Sequence, residues 1–321
     1  MKSILYRNGA VAETDLPLAK LSDPKPNSGE ALWIDVAESD HATIAELSER
    51  FNLHPLAVDD LHGEPQRARL DRFENHYLLT AYGTTLGSGE RMTTHAIRAV
   101  LTRGTMITVR GTHSIDMAPV QRQWESNPEL LTVGAIAMLW SLLDNIVDTH
   151  FDTVQALDER ASDLEAEVFA DKPNIRVVQR KCFVLHREVT RLRRLSMPLR
   201  DITNSALRHD PQGANSAVTP YLQDVYDHAL RVADWSDNIH DTLSTLFDSI
   251  LNAQSNQLNI VMKKITGWAA LIAVPTMLTG YFGMNVLYPG YQTEWGAWLV
   301  TLLMGGSAAF LYWRFRHNDW L

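Results

Sequence analysis

Apolar residues recur at several different spacings along the chain, and each spacing predicts its own kind of structure. In the first 110 residues, short runs rich in β-branched and aromatic residues predict five strands, with the sequences ILYRNG, ALWIDVA, HYLLTAYGTT, HAIRAVLT and MITVRG. Between them, HATIAELSERFN has helical spacing, with Ser39 or Asp40 as its N-cap. Gly87-Ser88-Gly89 is typical of a hairpin turn. This region therefore predicts a mixed α and β module, without a glycine-rich nucleotide-binding loop.

From about Ser114 onward the apolar spacing is helical for long stretches. Asp171-Lys172-Pro173 ends the first long helix, and a second helix is predicted over Asn174–His209. The third begins near Tyr221 after the loop DPQGANSAVTP and meets no helix breaker before Gly267. It should therefore be one helix of roughly sixty residues, about 90 Å long at 1.5 Å per residue.

The C-terminal part of the chain is apolar enough to cross a bilayer twice. Between residues 265 and 313 the only charged residue is Glu294, and the windows 265–284 and 295–313 each have the length of a membrane-spanning helix. Lysines 263 and 264 precede the first window, and Arg314 and Arg316 follow the second. By the positive-inside rule both termini are cytoplasmic, and only a short connection lies outside.

Length, charge and cysteine content refine this picture. The 321 residues predict three parts: a cytoplasmic α/β domain over 1–130, a cytoplasmic helical stalk over 131–264 and a transmembrane hairpin over 265–321. The N-terminus lacks the apolar stretch of a signal peptide. A net charge of −9 argues against nucleic acid and favours cations as partners. The single cysteine, Cys182, excludes an intrachain disulfide.

One stripe of the long third helix is polar or small nearly throughout, where a packing seam would be apolar. Steps of three and four residues from Asp234 select this stripe. Its members are Asp234, Asn238, Asp241, Thr245, Asp248, Asn252, Ser255, Asn259, Met262, Thr266, Ala269, Ala273, Thr276, Gly280 and Gly283. Inside a membrane such a face indicates close helix packing or a water-filled path. Two spans cannot enclose a path, but several copies around an axis can.

In such a ring, Asn285 from every copy would converge at the outer mouth, where Gly280 and Gly283 let backbones approach and expose carbonyl oxygens. Amide and carbonyl oxygens can hydrogen-bond the water shell of Mg²⁺, which dehydrates reluctantly. Asn259 would form a second neutral ring, and Asp248 an acidic ring below it. The predicted pore-lining residues are Asp248, Asn252, Asn259, Met262, Thr266, Ala273, Thr276 and Gly280.

Several motifs together resemble the CorA family of divalent-cation channels. The GMN tripeptide Gly283-Met284-Asn285 follows the first of two C-terminal spans, as in that family. Further similar segments are HPLAVDDL with Gln66-Arg67, FENHYLL, LLDNIVDTHF, PLRD, PYLQDVYDH and the terminal NDWL. The resemblance implies a homopentamer in the bacterial inner membrane, with an α/β/α cytoplasmic funnel, a very long stalk helix and two C-terminal transmembrane helices. It implies Mg²⁺ influx, with Co²⁺ or Ni²⁺ as surrogates, and not an enzyme.

The resemblance also implies roles for individual residues. The selectivity filter falls on Gly283, Met284 and Asn285, and Asp224 falls on a regulatory Mg²⁺ site between subunits. The acidic partner of Asp224 is left open, since the segment after FENHYLL reads Ala-Tyr-Gly-Thr and its nearest carboxylate is Glu90.

Two alternatives remain at the level of sequence. One is a Zn²⁺ transporter of the ZntB-like branch of the same fold, because the outer loop reads VLYPGYQTE where many CorA proteins have Met-Pro-Glu-Leu. The other is a membrane-anchored binding or scaffold protein. The polar stripe favours transport over an anchor, and the GMN motif and the lack of His or Cys near the path favour a hard cation. The histidines at positions 113, 150, 186, 228 and 240 show no metal-ligand spacing.

Overall fold

The computed structural model describes residues 1–25, 28–63, 67–87, 91–170, 174–208, 217–284, 290–291, 293–318 and 320. Some positions singled out above lie outside these ranges: Asn285, Glu90, Gln66, the Ser88-Gly89 part of the predicted turn, Asp171-Lys172-Pro173 and most of the loop after His209. The chain forms two compact units, Met1–Leu246 and Phe247–Leu321.

Seven strands of the first unit form one mixed sheet in the order β2-β1-β3-β7-β6-β5-β4. The pairing of β3 with β7 is parallel, and the other pairings are antiparallel. The strands are β1 Lys2–Arg7, β2 Ala10–Thr14, β3 Glu30–Ala37, β4 Arg69–Arg72, β5 Tyr77–Leu86, β6 Met92–Leu101 and β7 Thr105–Arg110. The five strands predicted from sequence are β1, β3, β5, β6 and β7, and all five are confirmed.

The two strands that the sequence did not predict, β2 and β4, are the edges of the sheet. All five side chains of β2 are exposed, and β4 reads RLDR. An edge strand is paired on one side only and needs little apolar surface, so neither strand has the alternating pattern of a half-buried strand. Charged residues on an edge also discourage further strands from pairing there.

Eight α-helices lie in the described parts of the chain. They are α1 His41–Arg50, α2 Pro55–His62, α3 Met117–Glu125, α4 Pro128–Leu131, α5 Ile136–Val168, α6 Ile175–Arg208, α7 Thr219–Phe282 and α8 Glu294–His317. Asp40 caps α1 by accepting a hydrogen bond from the Thr43 backbone N–H, as expected. The predicted second and third long helices are confirmed as α6 and α7, and α7 is a single helix of 64 residues.

Both faces of the sheet are covered by helices, which makes the first unit an α/β/α sandwich. Along β3, Leu32, Ile34 and Val36 share a buried cluster with residues of α1 and α2. Trp33 points to the other face, into a cluster formed with α3, α5 and α6. This alternation follows from the two-residue period of a strand, and it explains why β3 is apolar almost throughout. The predicted fold class is confirmed.

Buried polar contacts fix the helices to the sheet. Arg98 on β6 is 3% exposed, and its guanidinium donates to the backbone oxygens of Asp60, Leu61 and Gly63 at the end of α2. These carbonyls would otherwise lack partners, because a helix leaves its last carbonyl groups unpaired. Glu188 on α6 is fully buried and accepts from the Met92 backbone N–H at 3.1 Å, which holds the start of β6.

The second unit contains the C-terminal part of α7 and helix α8. Thr293 caps α8, with its hydroxyl oxygen accepting from the Gly296 backbone N–H. Both helices are long and apolar enough to cross a membrane, each containing a window of mean hydropathy 1.3 of which 6% is buried. Large apolar side chains such as Trp268, Trp298 and Leu302 are more than half exposed. Lipid or neighbouring chains would cover this apolar surface, because its exposure to water is unfavourable.

Candidate ion-transport site

The predicted stripe of α7 is exposed wherever the structure describes it. In the first unit, Asp234, Asn238, Asp241 and Thr245 all lie on the solvent side of the helix. The opposite side carries buried Ile239, Leu243 and Leu246, which pack into the unit. A helix turns 100° per residue, so this division into two faces follows from the sequence spacing.

The stripe continues on α7 through the second unit. Its exposed members there are Asp248, Asn252, Ser255, Asn259, Met262, Thr266, Ala269, Ala273, Thr276, Gly280 and Gly283. From residue 251 to 266 every side chain of α7 is exposed, so exposure alone does not distinguish the faces there. Beyond Ala269, exposure does distinguish the two faces of α7. The partly buried Leu271, Val274 and Leu278 lie on the side opposite the stripe.

Small side chains and a back-bonded hydroxyl characterise the outer half of the stripe. The Thr276 hydroxyl donates to the Ile272 carbonyl oxygen at 2.8 Å, so its lone pairs remain available as acceptors. A Cβ added to Gly280 would meet nothing within 4 Å. At the end of α7, the Gly283 N–H donates to the Thr279 carbonyl oxygen at 2.9 Å. The Met284 N–H donates to the Tyr281 carbonyl oxygen at 3.3 Å.

The structure describes two of the three residues of the predicted filter. Gly283 and Met284 lie directly after the last residue of α7, Phe282, and both are exposed. Asn285 lies outside the described residues. The last carbonyl groups of a helix lack partners within it, and here Gly283 and Met284 donate to two of them, those of Thr279 and Tyr281.

Asp224, the predicted regulatory residue, lies near the start of α7 in an acidic region of the first unit. Its side chain is 68% exposed, and its Oδ1 is 3.8 Å from Nε2 of His228, one helical turn later. Burial raises the pKa of Asp144 on α5, and the negative charge of Asp224 raises it further. Burial and the charge of Asp144 similarly raise the pKa of Asp148.

The structure thus brings Asp144 of α5, which the sequence analysis did not single out, near Asp224, and Asp148 lies close to Asp144. Their signal in the sequence is the four-residue spacing of Asp144, Asp148 and Asp152, which places them on one face of α5. Within the described residues, no three His, Cys, Asp or Glu side chains are arranged to hold a metal ion together. A divalent ion at Asp224 would therefore need ligands from outside this set.

Comparisons with known proteins cover nearly the whole chain. The model of the family described as CorA-like Mg²⁺ transporter protein matches residues 28–317. The cobalt/magnesium transport protein CorA of Thermotoga maritima is 28% identical over 302 residues, covering 93% of this chain and 86% of that protein. The family match extends over most of the chain and includes strands β3 to β7 of the mixed sheet and the two apolar helices.

Solved structures share the fold at lower identity. The complete structure of the CorA magnesium transporter from Methanocaldococcus jannaschii matches with a TM-score of 0.74 and 21% identity, covering 99% of this chain and 98% of that one. The full-length CmaX protein matches with a TM-score of 0.72 and 22% identity, covering 99% and 97%. The mixed sheet, the long helix and the apolar helix pair are thus parts of one known architecture. The chain belongs to the CorA-like Mg²⁺ transporter family, whose members are membrane transport proteins and not enzymes.

Proposed function

We propose that the protein is a homopentameric channel that admits divalent cations, with Mg²⁺ as the principal substrate and Co²⁺ or Ni²⁺ as surrogates. One observation carries this proposal: the polar and small stripe of α7 is exposed on the face opposite its packed face, within an otherwise apolar segment. A helix that only anchored the chain would not need such a stripe. Five copies around an axis would bring the stripes together to line a path.

The ion assignment is supported by relatives and by ligand chemistry. The Thermotoga maritima relative is a cobalt/magnesium transport protein, and the Methanocaldococcus jannaschii relative is a magnesium transporter. The proposed filter, Gly283, Met284 and Asn285, offers neutral oxygen ligands. Such ligands suit a cation that keeps its water shell, while His or Cys would suit Zn²⁺.

The proposed orientation places both termini in the cytoplasm of a bacterial cell, with the hairpin in the inner membrane. Lys263 and Lys264 before the first span and Arg314 and Arg316 after the second support it. Asp248 is then at the cytoplasmic side of the path, where a ring of carboxylates would concentrate cations. Asp224, in the first unit, is the proposed regulatory ligand.

A matched pair of threonine variants tests the path directly. Thr276 on the stripe and Thr301 on α8 are both exposed, and each hydroxyl donates to a carbonyl oxygen one turn earlier. We expect Thr276→Leu to stop Mg²⁺ uptake into proteoliposomes, because a ring of leucines would narrow and dewet the path. Thr276→Ser should retain uptake, and Thr301→Leu should behave as the wild-type protein.

The same assay separates the proposal from its alternatives. Uptake of Mg²⁺, Co²⁺, Ni²⁺ and Zn²⁺ should be measured in turn, with and without a pH gradient. Zn²⁺ uptake that exceeds Mg²⁺ uptake would replace the ion assignment and leave the path intact. Normal uptake by Thr276→Leu would show that the stripe does not line the path. If the wild-type protein transports none of these ions, the anchor interpretation would replace the channel.

A further inference from the structure

A cavity of about 550 Å³ opens at the β4–β5 turn of the first unit, where the β6–β7 turn and the end of α6 also meet. It is remote in sequence from the stripe of α7. Three arginines and two carboxylates line it: Arg72, Arg103, Arg208, Asp23 and Glu74. The cations come from three separate elements, so they approach the cavity from different directions.

Two of these arginines have guanidinium N–H groups that are available to bind a ligand. The Arg72 side chain is exposed and makes no hydrogen bond or ion pair with any residue that the structure describes. Arg208 uses Nε to donate to the Asn204 side-chain oxygen at 3.0 Å, which leaves its two terminal nitrogens for another partner. Asp23, in contrast, is occupied, because its Oδ1 accepts from the hydroxyls of Thr102 and Thr105 at 2.6 and 2.7 Å.

A buried histidine in the cavity wall carries an unused ring nitrogen. His76 is 2% exposed, and its Nε2 has no hydrogen-bond partner among the described residues. Its Nδ1 lies 2.7 Å from the Asn75 side-chain oxygen, so the neutral ring donates there and Nε2 is an acceptor. Phe73 stacks on this ring with centroids 4.8 Å apart and fixes its plane. A buried polar atom without a partner is costly, which indicates a missing donor.

The lining chemistry defines the class of ligand. Guanidinium groups bind carboxylates and phosphates, but only a phosphate offers tetrahedrally placed oxygens to cations that come from several directions. Nε2 of His76 is a hydrogen-bond acceptor, so the ligand that carries the phosphate should also carry a hydroxyl or amino donor. We propose that this cavity binds a small phosphate-bearing metabolite, with Arg72 and Arg208 holding the phosphate and His76 accepting from a hydroxyl or amino group.

Calorimetric titration of the full-length protein in detergent tests this site. The probes are ribose 5-phosphate, AMP, inorganic phosphate and citrate, at neutral pH and constant Mg²⁺. We expect saturable binding of the phosphates, weakened about tenfold by Arg72→Gln or Arg208→Gln alone, since each removes a charge-assisted contact. Arg231→Gln, at an exposed arginine of α7 without a described partner, is the matched control and should change nothing.

A histidine variant tests the second half of the site. His76→Phe keeps an aromatic ring against Phe73 but removes Nε2, so it should weaken ribose 5-phosphate and AMP more than it weakens inorganic phosphate. Equal binding of all three phosphates would assign the site to the phosphate group alone and overturn the role of His76. No saturable binding at millimolar phosphate probes, citrate binding as tight as theirs, or an Arg72→Gln/Arg208→Gln variant equal to the control would overturn the proposal.

Discussion

At the scale of single residues, His150 on α5 couples the fold to pH. Its ring is fully buried and its Nε2 donates to the Tyr82 carbonyl oxygen at 2.7 Å. Burial lowers the pKa of His150 from 6.5 to about 4. The unfolded chain is therefore protonated more readily than the folded one, so stability is full above about pH 6.5 and falls as the pH drops toward 4.

We expect this histidine to lower the free energy of unfolding by about 2 kcal/mol at pH 5 relative to pH 7. Thermal unfolding midpoints of the wild-type protein and of His150→Gln, measured across that range, check the expectation. Glutamine keeps an N–H donor but cannot titrate, so its midpoint should depend less on pH. The raised pKa values of Asp144 and Asp148 act in the opposite direction but are common to both proteins. Equal pH dependence in both would assign the effect to other groups.

Asn285 is the residue on which the proposed filter depends most. If it only ends the first span, Asn285→Ala should cost around 1 kcal/mol of local stability and leave transport intact. If it forms the outer ring, Asn285→Ala removes one amide from every subunit, and Mg²⁺ uptake should fail although the oligomer still assembles. Asn285→Asp should also fail, because several carboxylates at the mouth would hold cations too tightly or stay protonated.

Size-exclusion chromatography and proteoliposome uptake on the same preparations distinguish these outcomes. An assembled Asn285→Ala variant with wild-type uptake would leave only the capping role.

At the scale of the element, α7 shows how one helix can serve two surroundings. Its Gly280 lies in the last turn of the helix, and a glycine in a helix is less stable than an alanine by up to roughly 1 kcal/mol. Within the single chain a Cβ at Gly280 meets nothing within 4 Å, so the fold of one chain does not explain the glycine. The proposed ring explains the glycine, because neighbouring copies of α7 would approach one another along this face.

Gly280→Ala is therefore a test of packing around the axis. We expect the variant to insert and fold but to lose most Mg²⁺ uptake or to form weaker oligomers. Gly305→Ala on α8 is a matched control, since a Cβ there also meets nothing within 4 Å. Gain of thermal stability with unchanged uptake in Gly280→Ala would show that this face is not crowded.

At the scale of the whole molecule, the acidic balance of the chain favours regulation by divalent cations. The net charge is −9, and carboxylates that meet at subunit boundaries repel one another unless a cation lies between them. We expect millimolar Mg²⁺ to protect the wild-type protein from limited proteolysis. Asp224→Asn should reduce that protection and shift it to higher Mg²⁺ concentrations.

Asp201 supplies the control for this experiment. Its side chain is 71% exposed, close to the 68% of Asp224, but it pairs with Arg200 on the surface of α6. Asp201→Asn should retain the protection by Mg²⁺. Digestion patterns that do not change with Mg²⁺ in any of the three proteins would count against regulation by this ion.

The sequence by itself determined the features that depend on local periodicity. Helical spacing gave α6 and the 64-residue α7 to within about two residues at each end, since a helix satisfies its backbone within one segment. The absence of charge marked two helices suited to a membrane, and the three-and-four spacing placed Thr276 and Gly280 on one exposed face. Most of the proposed path could therefore be predicted from the sequence.

Only the tertiary structure decided which distant segments meet. The parallel pairing of β3 with β7 and the edge strands β2 and β4 depend on contacts that no local pattern records. The same holds for the approach of Asp144 to Asp224 and for the cavity that joins Arg72, His76 and Arg208. Helix periodicity is a property of neighbours in the chain, whereas strand pairing and side-chain clusters form when remote segments bury their apolar faces together.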